Sequence, residues 1–133
     1  KDAYVLGAFD NEKIVGVVVL NNILSKKGIR YGTHEYAAVA SSAKRKGIAS
    51  LLLAELKSEA RRQKIDFILS DTAVQATSSV LYHKKNKFKI YGISHYEGRL
   101  YDSYNFILPI SIKGHVISSW IGRIVLKKFF TNK

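Results

Sequence analysis

An α/β domain, with a mostly antiparallel sheet and one central βαβ unit, is the fold class this sequence predicts, and three observations carry the prediction. Residues 4–9 and 14–20 are β-branched and aromatic runs around the turn-prone tetrad DNEK, residues 10–13, which is a hairpin signature. Ile48, Leu51, Leu52, Leu56 and Ala60 recur at helical spacing directly ahead of the apolar run IDFILSDTA, residues 65–73. Strand, helix and strand in that order form a right-handed crossover with parallel pairing. Last, FKIYGISHYEG and LYDSYNFILPI alternate around a Gly-containing turn and predict a closing antiparallel pair.

The remaining elements fall between these. NNILSKKGIRYG, residues 21–32, reads as a polar connection with Gly28 exposed, and THEYAAVA, residues 33–40, as a short third strand. The helix that follows is amphipathic and about five turns long, with Lys57, Glu59, Arg61 and Arg62 mostly off its apolar stripe. Residues 74–77 form a loop. SSVLYHKKN, residues 78–86, reads as a short helix with a Ser cap and a C-terminal Asn suited to the left-handed conformation. The domain is assigned to residues 1–110. Residues 111–133 are expected to be a basic, amphipathic, helical tail, with Val116, Ile117, Trp120, Ile121, Ile124 and Val125 on one face. Such a stripe docks on its own domain or a partner, the alternative being an anionic membrane surface.

Composition bounds the function. The 133 residues are enough for one domain with a real core, and 47% hydrophobic against 24% charged residues excludes disordered and collagen-like classes. The lack of cysteine removes disulfides, thiol nucleophiles and thiolate metal sites, and the four histidines show no i,i+4 pair, so no metal is expected. No apolar run approaches the ~18 residues of a membrane span and no leader pattern opens the sequence, which leads to the expectation of a cytoplasmic protein. The sequence starts on Lys1 and contains no Met, so an N-terminally incomplete domain is expected. Twenty-two Lys and Arg against ten acids give a net charge of +12, a field that favours phosphates, nucleic acid or a lipid surface. Polycationic acceptors need clustered acids, and no segment offers them.

The most informative stretch is VASSAKRKGIAS, residues 39–50. Small residues ahead of a helix expose unpaired backbone N–H groups at the positive end of the dipole, where phosphate binds. Gly47 permits close approach of a ligand to the backbone, and Lys44, Arg45 and Lys46 add charge. Neither GxxxxGK[ST] nor GxGxxG is present, which argues against a nucleotide triphosphatase loop and a dinucleotide fold.

KRKGIA on a strand-to-helix turn resembles the pyrophosphate-loop motif of the GNAT superfamily of N-acetyltransferases, Q/R-x-x-G-x-G/A. Lys44 takes the first position, Gly47 the Gly and Ala49 the last small residue. SSVLYHKKNKF is similar to the family's A-x-x-L-Y-x-K-x-G-F, with Ser78 at the Ala, Leu81 and Tyr82 intact, Lys84 at the Lys and Asn86 at the Gly. Phe88 then falls one residue late, so either Lys87 is inserted or His83 holds the Tyr position. The resemblance covers roughly residues 4–110 and lacks the family's first strand and first two helices.

The resemblance implies a GNAT-like mixed sheet in which residues 33–40 and 65–73 form a splayed parallel strand pair. It implies transfer of an acetyl group from the cosubstrate acetyl-CoA to a primary amine by direct attack. Main-chain groups of Ala37 and Val39 would pair with the pantetheine arm, and backbone N–H groups of Arg45, Lys46, Gly47, Ile48 and Ala49, with Ser50 nearby, would hold the pyrophosphate. Tyr82 matches the general acid. Glu35 is the carboxylate best placed as base, because strand parity puts it on one face with Ala37 and Val39, while His34 points the other way. The expected acceptor is an amine on a neutral or anionic molecule, such as an amino-sugar nucleotide, a protein or a peptide. The rival reading is a nucleic-acid-binding module, or an acetyltransferase acting on RNA-linked amines, whose binding would weaken steeply with salt.

Overall fold

The computed structural model describes residues 2–119, and the chain forms two compact units that meet in sequence between Ile65 and Asp66. The first is an antiparallel meander, β1 (Asp2–Asp10), β2 (Lys13–Lys26) and β3 (Ile29–Val39), followed by a 3-10 turn at Ser41–Ala43 and helix α1 (Ile48–Arg62). The second contains β4 (Phe67–Ala73), α2 (Thr77–Lys85), β5 (Lys89–His95), β6 (Asp102–Pro109) and α3 (Ile112–Ser118). In it β6 pairs antiparallel with both β4 and β5. The class is thus α/β and mostly antiparallel, as predicted.

The DNEK hairpin forms with Asn11 at φ 56° in its turn. The polar connection expected at residues 21–32 does not exist: β2 runs on to Lys26 and returns as β3 at Ile29, through a two-residue turn with Lys27 at φ 52° and Gly28 at φ 76°. Two successive left-handed residues match the twist of a tight hairpin. A β-bulge hid this strand. Asn21 pairs with Thr33 and Leu24 with Tyr31, so one extra residue breaks the alternation and leaves both Leu20 and Ile23 buried.

Helix α1 covers the sheet face of its own unit. A Cβ added at Gly16 would come within 3.0 Å of the Ile48 and Leu52 side chains, so glycine there sets the depth of helix docking. The buried stripe is Leu52, Leu53, Leu56 and Ala60. Leu51, expected in that stripe, is 66% exposed, and Leu53 takes its place. Leu51 instead borders an open cavity of about 490 Å³ with Leu6, Phe9, Val15 and Ile48. The helix ends in a left-handed Lys64, and the Arg30 Nε donates to the Gln63 carbonyl at 2.9 Å.

In the second unit consecutive residues of two adjacent strands are buried: Phe67 and Ile68 on β4, Phe106, Ile107 and Leu108 on β6. Burial on both parities means that both faces are covered. Helix α2 starts one residue earlier than predicted, at Thr77, with Ala76 before it and no side-chain cap. Of the predicted tail, residues 112–118 form α3, whose N-terminus is capped by Ser111. Trp120 and the rest of the expected stripe lie outside the described residues.

Candidate active site

The loop after β3 has the features the sequence led us to expect of an anion site. Ala40 N–H donates to the Val15 carbonyl at 2.8 Å, which ties the loop to the hairpin. Arg45 (φ 66°) and Gly47 (φ 75°) both turn left-handed, and Gly47 is the residue before the first turn of α1. The first helical bond runs from Leu51 N–H to the Gly47 carbonyl at 3.0 Å. No side chain caps this end and no acid occupies its first turn. The N–H groups of Ile48, Ala49 and Ser50 therefore stand at the positive end of the dipole beside exposed Lys44, Arg45 and Lys46. A Cβ on Gly47 would meet nothing within 4 Å, so the glycine serves its φ and the space outside it, not internal packing.

On β3 the expected parity fails. Val18 pairs with Ala37, Val19 with Tyr36 and Leu20 with His34, which leaves Glu35 as the extra residue of a second bulge. Past that bulge it is His34, not Glu35, that shares a sheet face with Ala37 and Val39. His34 is buried, at 5% exposure. Glu35 is exposed, and its carboxylate accepts from the amides of Asn21 at 3.1 Å and Asn22 at 3.3 Å. No pattern in the residue types announces the bulge.

The end of helix α2 bears on the register of the second motif. Phe88 N–H donates to the His83 carbonyl at 3.0 Å and Lys87 N–H to the Lys84 carbonyl at 3.2 Å. That is the Schellman closure, in which the residue after the cap adopts the left-handed conformation. Here it is Lys87, at φ 69°, while Asn86, expected there, sits at φ −93°. Lys87 thus holds the place of the motif's glycine and Phe88, which is buried, that of its phenylalanine. Counting back without a gap puts His83 at the tyrosine, Tyr82 at the leucine, Ser79 at the alanine and Lys85 at the lysine. This is the second of the two registers the sequence allows; the first keeps Tyr82 at the tyrosine with Lys87 inserted.

His83 is 3% exposed and held on every side. Its Nδ1 lies 2.6 Å from the Ser79 carbonyl, one turn back, so Nδ1 carries the proton and donates. Its Nε2 lies 2.7 Å from Ser70 Oγ on β4 and accepts from it. The ring stacks on Phe106 at 4.4 Å and meets Phe88 edge-on at 4.8 Å. Ser70 and Phe106 are cross-strand partners, so one rung of the β4–β6 ladder presents both groups to the imidazole. Thr72, two residues on, donates to Ser79 Oγ at 2.7 Å. Burial lowers the His83 pKa below the ordinary histidine value, against the opposing pull of the Ser79 bond and Asp71. Tyr82 is half-buried and meets the His83 ring edge-on at 5.3 Å, and burial pushes its hydroxyl up to about 12.

A stability dependence on pH follows, with the sign fixed by linkage. Because folding depresses the His83 pKa, the unfolded chain takes up this proton first as pH falls below the ordinary value near 6.5. The stabilisation is present above that pH and is lost as pH falls through the folded value. Urea unfolding of the wild type and of His83→Gln is expected to show a stability gap that narrows from pH 7.5 to pH 5. A gap that is constant or widens contradicts it.

Among the described residues no three His, Asp or Glu side chains gather as a metal site. The sequence matches the acetyltransferase (GNAT) family over residues 1–88. No curated protein matches it. The fold is similar to the ribosomal-protein-S18-alanine N-acetyltransferase of Escherichia coli, at 17% identity and a TM-score of 0.70 over 83% of this chain and 70% of that one. It is similar to the ribosomal-protein-alanine N-acetyltransferase of Brucella melitensis, at 26% identity and 0.66 over 79% and 67%. It is also similar to yncA of Salmonella typhimurium, solved with its cofactor acetyl-CoA, at 22% identity and 0.67 over 80% and 64%. With the family matched over residues 1–88 of its 133, this chain belongs to the GNAT family of acetyltransferases.

Proposed function

We propose that the chain transfers an acetyl group from acetyl-CoA to a primary amine by direct attack. The observation that carries the proposal is the entrance of α1, where left-handed Gly47 and uncapped N–H groups directly follow three exposed cations. That arrangement suits a pyrophosphate, and Lys44 to Ser50 take that role. The main chain of Ala37 and Val39 pairs with the pantetheine arm as an added strand would. In the transfer the amine nitrogen bonds to the acetyl carbon, the carbon–sulfur bond breaks with its electron pair going to sulfur, and the amine's proton ends on the thiol. Glu35, oriented by two asparagine amides, is exposed and suited to draw a cationic amine and take its proton.

The acceptor is an amine on a neutral or phosphate-bearing molecule or at a peptide N-terminus. Peptide termini gain weight from the alanine acetyltransferases among the similar structures. A net charge of +12 works against spermidine and aminoglycosides. Thiol release from acetyl-CoA is expected to be faster with an N-terminal alanyl peptide than with spermidine. Faster turnover of spermidine would overturn the assignment of acceptor class.

A further inference from the structure

Lys44, Arg45 and Lys46 stand at the entrance of α1, and a second group of cations stands at its exit. We infer that this exit, together with the turn between β2 and β3, binds the phosphate backbone of a nucleic-acid duplex. That role is independent of the acetyl-transfer reading.

Two stretches far apart in sequence meet there, both within the first unit. The β2–β3 turn carries Lys26 and Lys27, and the end of α1 carries Lys57, Arg61 and Arg62, with Lys64 just beyond it. Arg30 joins the two stretches through the bond from its Nε to the Gln63 carbonyl. Arg30 pairs with Ser25 and Ile29 with Lys26, so Lys27 lies about 10 Å along the strand from Arg30. Residues 24–31 and 57–64 hold seven Lys and Arg against one acid, Glu59. Arg62 and Gln63 engage that carboxylate, while Lys27, Arg61 and Lys64 are exposed. The 15 residues of α1 hold this end about 22 Å from the Gly47 entrance.

Folding alone does not account for these cations. Basic residues in the last turn favour the negative end of a helix dipole, which covers Arg61 and Arg62 but not Lys26 and Lys27. Lys57 and Arg61 are one turn apart, a spacing at which like charges lower helix stability. Lys27 at φ 52° and Lys64 at φ 56° are both left-handed, a conformation that suits glycine or asparagine and is costly for a longer side chain. With Arg45 and Lys87, four of the six non-glycine residues of positive φ among the described residues are cations. Placement that weakens the fold and gains exposed charge is the pattern of a binding surface.

The surroundings select the partner. Tyr31, the one aromatic residue of the two stretches, is buried, so no ring is offered for the base stacking on which single strands depend. Leu24 is the one large apolar side chain exposed there, too little to insert into a membrane. Protein interfaces place aromatic and apolar groups at their centre and are poor in lysine. Cations without such neighbours bind by neutralising phosphates, which positions a duplex without reading its sequence.

The test follows the fluorescence anisotropy of labelled RNA and DNA duplexes of about 20 base pairs with the full chain, over a salt series. With about four phosphates neutralised, log affinity is expected to fall against log salt with a slope of about −3.6. Lys27→Asn/Lys64→Asn removes two of the cations and keeps residues that tolerate the left-handed conformation. It is expected to weaken binding about tenfold or more, to flatten the slope by about 2, and to melt no lower than wild type. Lys13→Gln/Lys89→Gln removes equal charge elsewhere, Lys13 being at the opposite end of β2 from Lys26, and is expected to leave the slope unchanged. The duplex bound more tightly names the source, and equal affinities assign the backbone alone. The assignment is overturned if neither duplex binds, if the two double variants flatten the slope equally, or if Lys27→Asn/Lys64→Asn binds as wild type does or melts below it. It is also overturned if acetyl-CoA displaces the duplex, or if vesicles containing phosphatidylserine bind more tightly than either duplex.

Discussion

Gly47→Glu is expected to abolish the stabilisation of this protein by acetyl-CoA. A ligand that binds only the folded state at about 100 times its Kd adds about 2.7 kcal/mol, which raises the melting temperature by several degrees. Gly47 stands at the entrance of α1 with φ 75° and no neighbour within 4 Å of a would-be Cβ, so a Glu side chain fits sterically and projects where the pyrophosphate is to lie. Its carboxylate meets the phosphates with like charge and competes for the same N–H groups. The left-handed conformation adds about 1 kcal/mol of intrinsic destabilisation for any branched side chain, so the unliganded variant melts slightly lower than wild type. Gly47→Asn separates the two effects, since asparagine tolerates this conformation without adding charge. A full acetyl-CoA shift in Gly47→Glu would remove the loop from the binding site.

Gly114→Ala is expected to destabilise the fold by about 3 kcal/mol, at the upper end of what overpacking costs. Glycine to alanine inside a helix ordinarily stabilises by up to ~1 kcal/mol, so the sign alone is diagnostic. The cause is a close approach of two backbones. Asp66 O accepts from Ile110 N–H at 2.9 Å and Ser111 N–H at 3.2 Å, while Ser111 Oγ donates to Asp66 Oδ1 at 2.7 Å and accepts from Gly114 N–H at 2.9 Å. This latch draws α3 so close that a Cβ on Gly114 would overlap the Asp66 carbonyl oxygen and lie 2.7 Å from its carbon. Both are main-chain atoms, so no rotamer change relieves the overlap. Urea unfolding reads the effect, and an alanine variant as stable as wild type would contradict it.

What could be read from the residues, and what could not, divides along one physical line. Features that depend on residue type at short range were legible: the DNEK turn, the stripe of α1, the left-handed Gly47 with its basic neighbours. Features set by hydrogen-bond register were not. The second half of β2 looked like a loop because Asn21, Asn22 and Ser25 are polar and a bulge breaks the alternation, although Gly28 marked its turn. Leu51 and Leu53 are equivalent by type, and only the direction of the sheet decides that Leu53 is buried. Glu35 and His34 exchange faces through one unpaired residue. The end of α2 was placed at Asn86 by residue type, whereas the left-handed residue that closes the helix is Lys87, without the usual glycine.

The bulge on β3 also bears on how this chain tolerates changes in length. A paired ladder counts residues, so loss or gain of one at Tyr31 or Ala38 displaces every pair beyond it and turns buried side chains outward. Glu35 is not counted. With Val19 opposite Tyr36 and Leu20 opposite His34, the ladder closes across it, and pairing on either side is the same whether or not it is present. The strand therefore contains one position whose presence is invisible to the fold, and that position carries the carboxylate turned toward Asn21 and Asn22. Length variation there leaves the register of the sheet in place while it removes or shifts the carboxylate that the Asn21 and Asn22 amides hold.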